Sequence, residues 1–231
     1  MDYIFKGFVE AISLLSSGHA ETYSAIWVTL QVSSMSIVGS LVIGTPLGFL
    51  LGHTTFPGKA PLRVVVDTLL SFPTVVIGLL VYAFLTRRGP LGEFGLLFTL
   101  PGIAAGQIIL GLPIVVAMTA TAVENLDMRL KSTLLSLGAV PRQVLLTTLW
   151  EARFSVMLAA MAAYGRIVSE VGISMMVGGN IKWHTRTITT AIALETGKGE
   201  FSMGIALGIV LMLIAFAVNL SMCGIRKRVG Q

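Results

Sequence analysis

The chain has 231 residues, 55% of them hydrophobic and only 12% charged, with a net charge of +5 and a mean hydropathy of +0.87. Soluble domains carry about 25% charged residues, so a water-facing fold of this size would lack the polar material to cover its surface. The basic residues border apolar blocks and do not interleave with aromatics, which argues against nucleic acid and for an anionic membrane surface. One cysteine, Cys223, excludes a disulfide framework, and His19, His53 and His184 are too far apart to form a metal-ligand motif.

The start, Met1-Asp2-Tyr3, lacks the basic region of a secretory signal, and no A-x-A site follows it. Ile4, Phe5, Phe8, Ile12 and Leu15 share one helical face, so residues 2–17 are expected to form an amphipathic helix lying in the membrane interface, within an N-terminal segment 1–21. A span needs about 20 largely apolar residues. Five candidates follow in order: Ser24 to Gly52, Arg63 to Thr86, Phe98 to Val123, Ala152 to Val177, and Phe201 to Ile225. The expected fold is therefore an all-α membrane protein, with five transmembrane helices in a membrane domain over 22–225 and a basic tail over 226–231.

Gly44-Thr45-Pro46, Pro73 and Gly111-Leu112-Pro113 fall inside these spans, where neighbouring helices and hydroxyl side chains satisfy freed backbone groups. Gly39, Ser40, Gly44 and Gly48 are spaced for close helix contact. Five spans put the termini on opposite sides. One side collects nine Lys/Arg and the other six, with Arg166 left inside its span. The positive-inside rule places the loop around Lys59 and Arg63, the segment 129–153 and the C-terminus in the cytoplasm, and the N-terminus outside. The chain shows no internal repeat, so an inverted-repeat transporter finds no support.

The stretch from Asp127 to Arg153, inside a loop of about 125–153, is too polar to span and too apolar for a plain connection. It reads as a helix to Leu137, a Gly138-Ala139 break and a second helix from Pro141, proline being favoured at a first helical turn. Such a knob suits a partner; a surface loop without one is the alternative.

Ser132-Thr133-Leu134 through Leu137-Gly138-Ala139, then Pro141-Arg142-Gln143, resembles the cytoplasmic coupling loop of binding-protein-dependent ABC importer permeases of type I. Gly138 matches that family's glycine. Ser132, Thr133 and Leu134 stand where its E-A-A belongs, Thr148 replaces its isoleucine, and Trp150-Glu151 replaces its L-P. Ser169-Glu170-Val171-Gly172, Met175 to Asn180 and Thr185 to Thr196 are similar to the tungstate-type permeases, and the likeness runs from about Phe5 to Asn219. The resemblance implies a homodimeric permease in the cytoplasmic membrane of a prokaryote, with two cytoplasmic ABC ATPase subunits and an extracytoplasmic oxyanion-binding protein. It also implies that Leu130, Ser132, Thr133, Leu134, Leu137, Gly138, Ala139, Pro141 and Arg142 contact the ATPase. Leu130, Leu134 and Leu137 fall at i, i+4 and i+7, as a stiff docking helix requires. The chain has no G-x-x-x-x-G-K-[ST], so ATP and magnesium belong to the separate subunit and this chain is expected to bind no cofactor.

Arg166 and Glu170 are the ionisable residues well inside a span, four apart on a helix. They form either a structural ion pair or the lining of an anion path. The outer segment from Gly178 to Glu200 carries Asn180, Thr185, Arg186 and Thr189, which suit a transient oxyanion contact, the docking of a binding protein, an outer gate or an ordinary solvated loop. A free-standing transporter or channel, a molybdate or sulfate permease and an intramembrane enzyme are the competing functions. The last finds no converging catalytic groups.

Overall fold

The computed structural model describes residues 2–126, 133–134 and 136–229, and all regular elements among them are helical. In chain order they are α1 (Asp2–Ser16), α2 (Ala20–His53), α3 (Lys59–Leu69), α4 (Thr74–Leu85), a 3-10 turn (Gly92–Phe94) and α5 (Leu100–Glu124). After the loop come α6 (Pro141–Glu151), α7 (Arg153–Val168), α8 (Gly172–Gly178), α9 (Ile188–Gly197) and α10 (Phe201–Val229). Three of them, α2, α5 and α10, are long and apolar enough to cross a membrane, and two bent pairs, α3–α4 and α6–α7, pass the same test together.

The centre of the bundle is α5, which packs against α2, α3, α4, α7 and α8. Its start is set by Thr99, whose hydroxyl accepts the Gly102 N–H at 3.2 Å, with Pro101 in the first turn. Side by side and parallel, α2 and α5 meet along a stripe of small residues. A Cβ on Gly44 would lie 2.9 Å from Val115, one on Gly48 2.6 Å from the Val116 carbonyl oxygen, and one on Gly52 2.6 Å from that of Ala120. Only glycine lets the two backbones come this close. The four-residue spacing expected to bring helices together therefore forms the main seam of the fold.

Two expected spans differ from their sequence reading. The segment from Arg63 to Thr86 is not one straight helix: α3 and α4 meet at 96° through Ser71, Phe72 and Pro73. Proline cannot continue the ladder and restrains the residue before it, so the helix stops and restarts. The segment from Ala152 to Val177 is likewise interrupted, at Ser169–Val171, where the Glu170 side chain takes over a backbone amide (below), and α6 joins α7 at 52°. The two breaks lie together, since a Cβ on Gly172 would touch Val75 at 3.5 Å.

The N-terminal helix is present, and it packs along α10. Its contact face is Gly7, Ala11 and Leu14, with Gly7 so close to Ile205 that a Cβ would come within 2.6 Å. Ile4, Phe5, Phe8 and Ile12 point outward, which leaves a bulky apolar face for lipid.

Lys59 and Arg63 of α3 reach Glu124 at the end of α5, at 3.0 and 3.4 Å. This places the loop after α2 and the end of α5 at one end of the bundle. The start of α2, the start of α5 and the segment 178–187 gather at the other, tied by the Phe98 N–H bond to the Val177 carbonyl at 2.8 Å and by ion pairs to Glu21.

Candidate functional sites at the two ends and in the middle of the bundle

At the first end, Leu130 and Ser132 lie outside the described residues. Thr133 and Leu134 are helical, and their turn closes at Gly138, whose φ is +79°. Leu137 N–H donates to the Thr133 carbonyl at 3.0 Å and Ala139 N–H to the Leu134 carbonyl at 2.9 Å. The second bond spans six residues around a left-handed glycine, which is the Schellman closure of a helix. Gly138 is required here by its backbone conformation, since nothing stands within 4 Å of the Cβ it lacks. Val140 caps the next helix with its N–H donating to the Gln143 side-chain oxygen at 2.9 Å, and Pro141 opens it, as expected. Leu137, Val140, Leu145, Leu146 and Trp150 stay exposed, Leu137 at 79%. Arg142 is also exposed. The result, among the described residues, is a hydrogen-bonded glycine turn leading into α6, with an apolar surface. Arg153 braces its far side, lying over the Trp150 and Phe154 rings at 4.6 and 4.4 Å.

In the middle of the bundle, Arg166 and Glu170 pair at 3.5 Å, as the four-residue spacing suggested. The two halves of the pair sit in different surroundings. The Arg166 side chain is 43% exposed and that of Glu170 2%. One Glu170 carboxylate oxygen accepts the Ile173 N–H at 3.1 Å, in the first turn of α8, and its own carbonyl accepts the Ser174 and Thr189 hydroxyls at 3.3 and 2.9 Å. Thr29, Ser33, Gln107, Ser174, Thr187 and Thr189 surround it, in a space too small for a water molecule.

Reading the ionisable residues alone misses this polar cluster. Ser36 donates to the Gln107 side-chain oxygen at 2.9 Å, and the Gln107 amide donates to Ser174 at 3.3 Å. One glutamine thus joins α2, α5 and α8. The available signal was a glutamine and three serines inside otherwise apolar spans, each of which needs a partner away from water.

At the second end, the segment from Gly178 to Glu200 is not a solvated loop. It carries α9, and Thr185, Thr187, Thr189 and Thr190 are all buried. Thr185 accepts the Ile181 N–H at 3.1 Å and donates to the Gly178 carbonyl, closing a tight turn. Thr187 and Thr190 cap α9 reciprocally, and the Ile188 N–H reaches the Thr29 hydroxyl at 2.9 Å. Hydroxyls spent on backbone groups in this way serve the packing of the turn. Asn180, with φ of +51°, accepts from Arg186 Nε at 3.1 Å. Arg186 also pairs with Glu21, to which Lys182 bonds at 2.7 Å. Asn180 and Arg186, candidates for an anion path or gate, are therefore joined in a clasp on the start of α2. Neither Glu21 nor Lys182 was singled out, because they are 161 positions apart in sequence, counting from 21 to 182.

Residues 44–231 match the family of binding-protein-dependent transport system inner membrane components. A tungstate uptake system permease protein of Campylobacter jejuni is 52% identical over 219 residues, covering 95% of this chain and 92% of that protein. A molybdenum transport system permease protein of Escherichia coli is 31% identical over 84% of this chain and 91% of its own. Among solved structures, the MetNI methionine ABC transporter in an inward-facing conformation superposes with a TM-score of 0.75 at 21% identity, over 92% of this chain and 98% of that one, which is a likeness of fold. The chain belongs to the binding-protein-dependent transport system inner membrane component family, and it is a multi-pass membrane permease of the ABC importer type.

Proposed function

We propose that this chain is the membrane subunit of an ATP-driven importer of an oxyanion, tungstate before molybdate or sulfate. The observation that carries the substrate is the 52% identity to a tungstate uptake permease over almost the whole of both chains, against 31% to a molybdenum permease. The polypeptide crosses the membrane five times, each bent pair counting once, with the N-terminus outside and the C-terminus in the cytoplasm. It works as a homodimer, with two cytoplasmic ATPase subunits and an extracytoplasmic oxyanion-binding protein.

Support for the coupling role comes from the knob around Gly138. Exposed Leu137 and Val140 flank the glycine turn, which is closed by hydrogen bonds, and exposed Leu145 and Leu146 stand on α6 just after it. A rigid apolar knob seats in a groove and transmits a push without deforming. Leu130 and Ser132, outside the described residues, belong to the same proposed contact, with Thr133, Leu134, Ala139, Pro141 and Arg142. The transported anion passes along the face of α7 that carries Arg166, and the clasp of Asn180, Arg186 and Glu21 shapes the outer surface where the binding protein docks. Thr185 and Thr189 hold that surface from beneath.

The test is purification from a prokaryotic membrane together with uptake in vesicles. The reading expects an ATPase subunit to co-purify, and tungstate uptake that requires ATP and the binding protein. Uptake that persists with the ATPase absent would leave a free-standing transporter and refute the reading.

A further inference from the structure

The outward faces of the long helices differ in kind. On α2 the exposed residues include Val38, Val42, Leu47 and Leu50, and on α10 Met212, Leu213, Phe216 and Leu220, as lipid contact demands. On α7 the exposed positions after Leu158 are Ala162 and Arg166, followed by Ser169 just past its end, with Gly165 half-buried between them. No Cβ neighbour lies within 4 Å of Gly165. A straight helix puts Arg166 about 20 Å beyond Arg153, deep in the bilayer. A guanidinium at that depth on a face of small residues borders water and not hydrocarbon.

Its one partner among the described residues is Glu170, met at 3.5 Å through a single guanidinium nitrogen. The Arg166 side chain as a whole is 43% exposed. Glu170 cannot follow it outward. Its carboxylate is held by the Ile173 N–H, its backbone by Thr189 and Ser174, and the polar residues around it close the space.

We propose that Glu170 is a fixed internal counter-ion that presents Arg166, already charge-compensated, to a passing tetrahedral dianion. The inference rests on the reading of this chain as an oxyanion permease and assigns its mid-membrane station. An unpaired guanidinium in a low-dielectric path would grip a dianion, and slow release would stop conduction. With Glu170 in place each incoming oxygen competes with a carboxylate that stays put, so contact is brief. Glu170 is a positioning residue, and Arg166 is the group that touches the cargo.

The experiment uses the purified permease–ATPase complex without binding protein, sodium tungstate as probe, and thermal unfolding as readout, with sodium chloride at matched ionic strength as control. Glu170→Gln keeps an oxygen for the Ile173 N–H and removes the charge. The expected result is a saturable tungstate-dependent rise in Tm in Glu170→Gln, with an apparent affinity about tenfold or more above that of the wild type. The same variant should show a lower maximal uptake rate in vesicles, and the double variant Arg166→Gln/Glu170→Gln should lose the Tm response. An assembled Glu170→Gln complex that responds like the wild type, or a double variant that still responds, would overturn the proposal. Should Glu170→Gln fail to assemble, Arg166→Gln alone decides. Lowered uptake of tungstate and molybdate alike supports the station, and unchanged uptake overturns it. Failure of the underlying reading would be seen earlier, as the absence of any ATPase in the purified complex.

Discussion

Replacing Gly48 by alanine tests the seam between α2 and α5. The added Cβ would stand 2.6 Å from the Val116 carbonyl oxygen and 2.8 Å from Thr119 Cβ. Neither neighbour is the free end of a flexible chain; one is backbone in the middle of α5 and the other the branched carbon of a fully buried threonine. The helices must move apart by several tenths of an ångström, and with backbone as the nearest neighbour the overpacking falls in the upper part of the usual range, about 2–3 kcal/mol. Alanine returns about 0.8–1 kcal/mol of helix preference, so the net loss is roughly 1–2 kcal/mol, or about 2–8 °C in Tm for a chain of this length. Gly165→Ala is the control, since its Cβ meets nothing and only the helix preference acts. Both complexes are heated in one detergent and the monodisperse fraction is followed. The packing argument fails if Gly48→Ala melts with the wild type or above it.

Two further outcomes follow from single groups. At Gly138 alanine costs about 1–2 kcal/mol for its left-handed backbone, while asparagine tolerates it, so uptake and ATPase retention should fall in Gly138→Ala and hold in Gly138→Asn; equal loss in both would assign the glycine to partner contact instead. Thr29→Val leaves the buried Ile188 N–H without its acceptor, at about 1–3 kcal/mol, so that amide should exchange with deuterium faster than in Thr29→Ser, and identical exchange would sink the account.

The parts legible in the sequence were those written in local patterns. Apolar blocks marked the long helices, the small residues Gly39, Ser40, Gly44 and Gly48 marked the seam, and Gly138 with Pro141 marked the break in the knob. Spacing alone paired Arg166 with Glu170. What stayed hidden depends on neighbours remote in sequence. Pro73 inside an apolar block reads equally well as a tolerated kink or as the 96° elbow that it is. The difference lies in α5, against which both halves pack. The threonines from 185 to 190 looked like a polar loop because hydroxyls are polar in any context. Buried, they bond to backbone groups of their own turn and, at Glu170, of the break before α8, while the Ile188 N–H beside them donates to the Thr29 hydroxyl of α2. The clasp on Glu21 could not be read at all without the fold.

The two helix breaks acquire a common meaning from their position. Pro73 forces α4 to begin anew, and the break at 169–171 does the same for α8; Gly172 then packs beside Val75, so both new helices start at the same level. A helix N-terminus carries roughly half a positive charge on its unpaired N–H groups, and α4, with 12 residues, presents its first turn at Val75 and Val76 on an exposed surface. Arg166 lies within one helical turn of the second break and adds a full charge. Left alone, these groups would make the middle of the bundle a strong anion trap inside a low-dielectric slab. One carboxylate, Glu170, sits where the breaks meet, engaged at once with the first turn of α8 and with Arg166. A break in a helix is costly in a membrane because it frees backbone groups. Here the freed N–H of Ile173 is taken up by the same carboxylate that offsets the arginine, so the interruption and the ion pair stabilise each other.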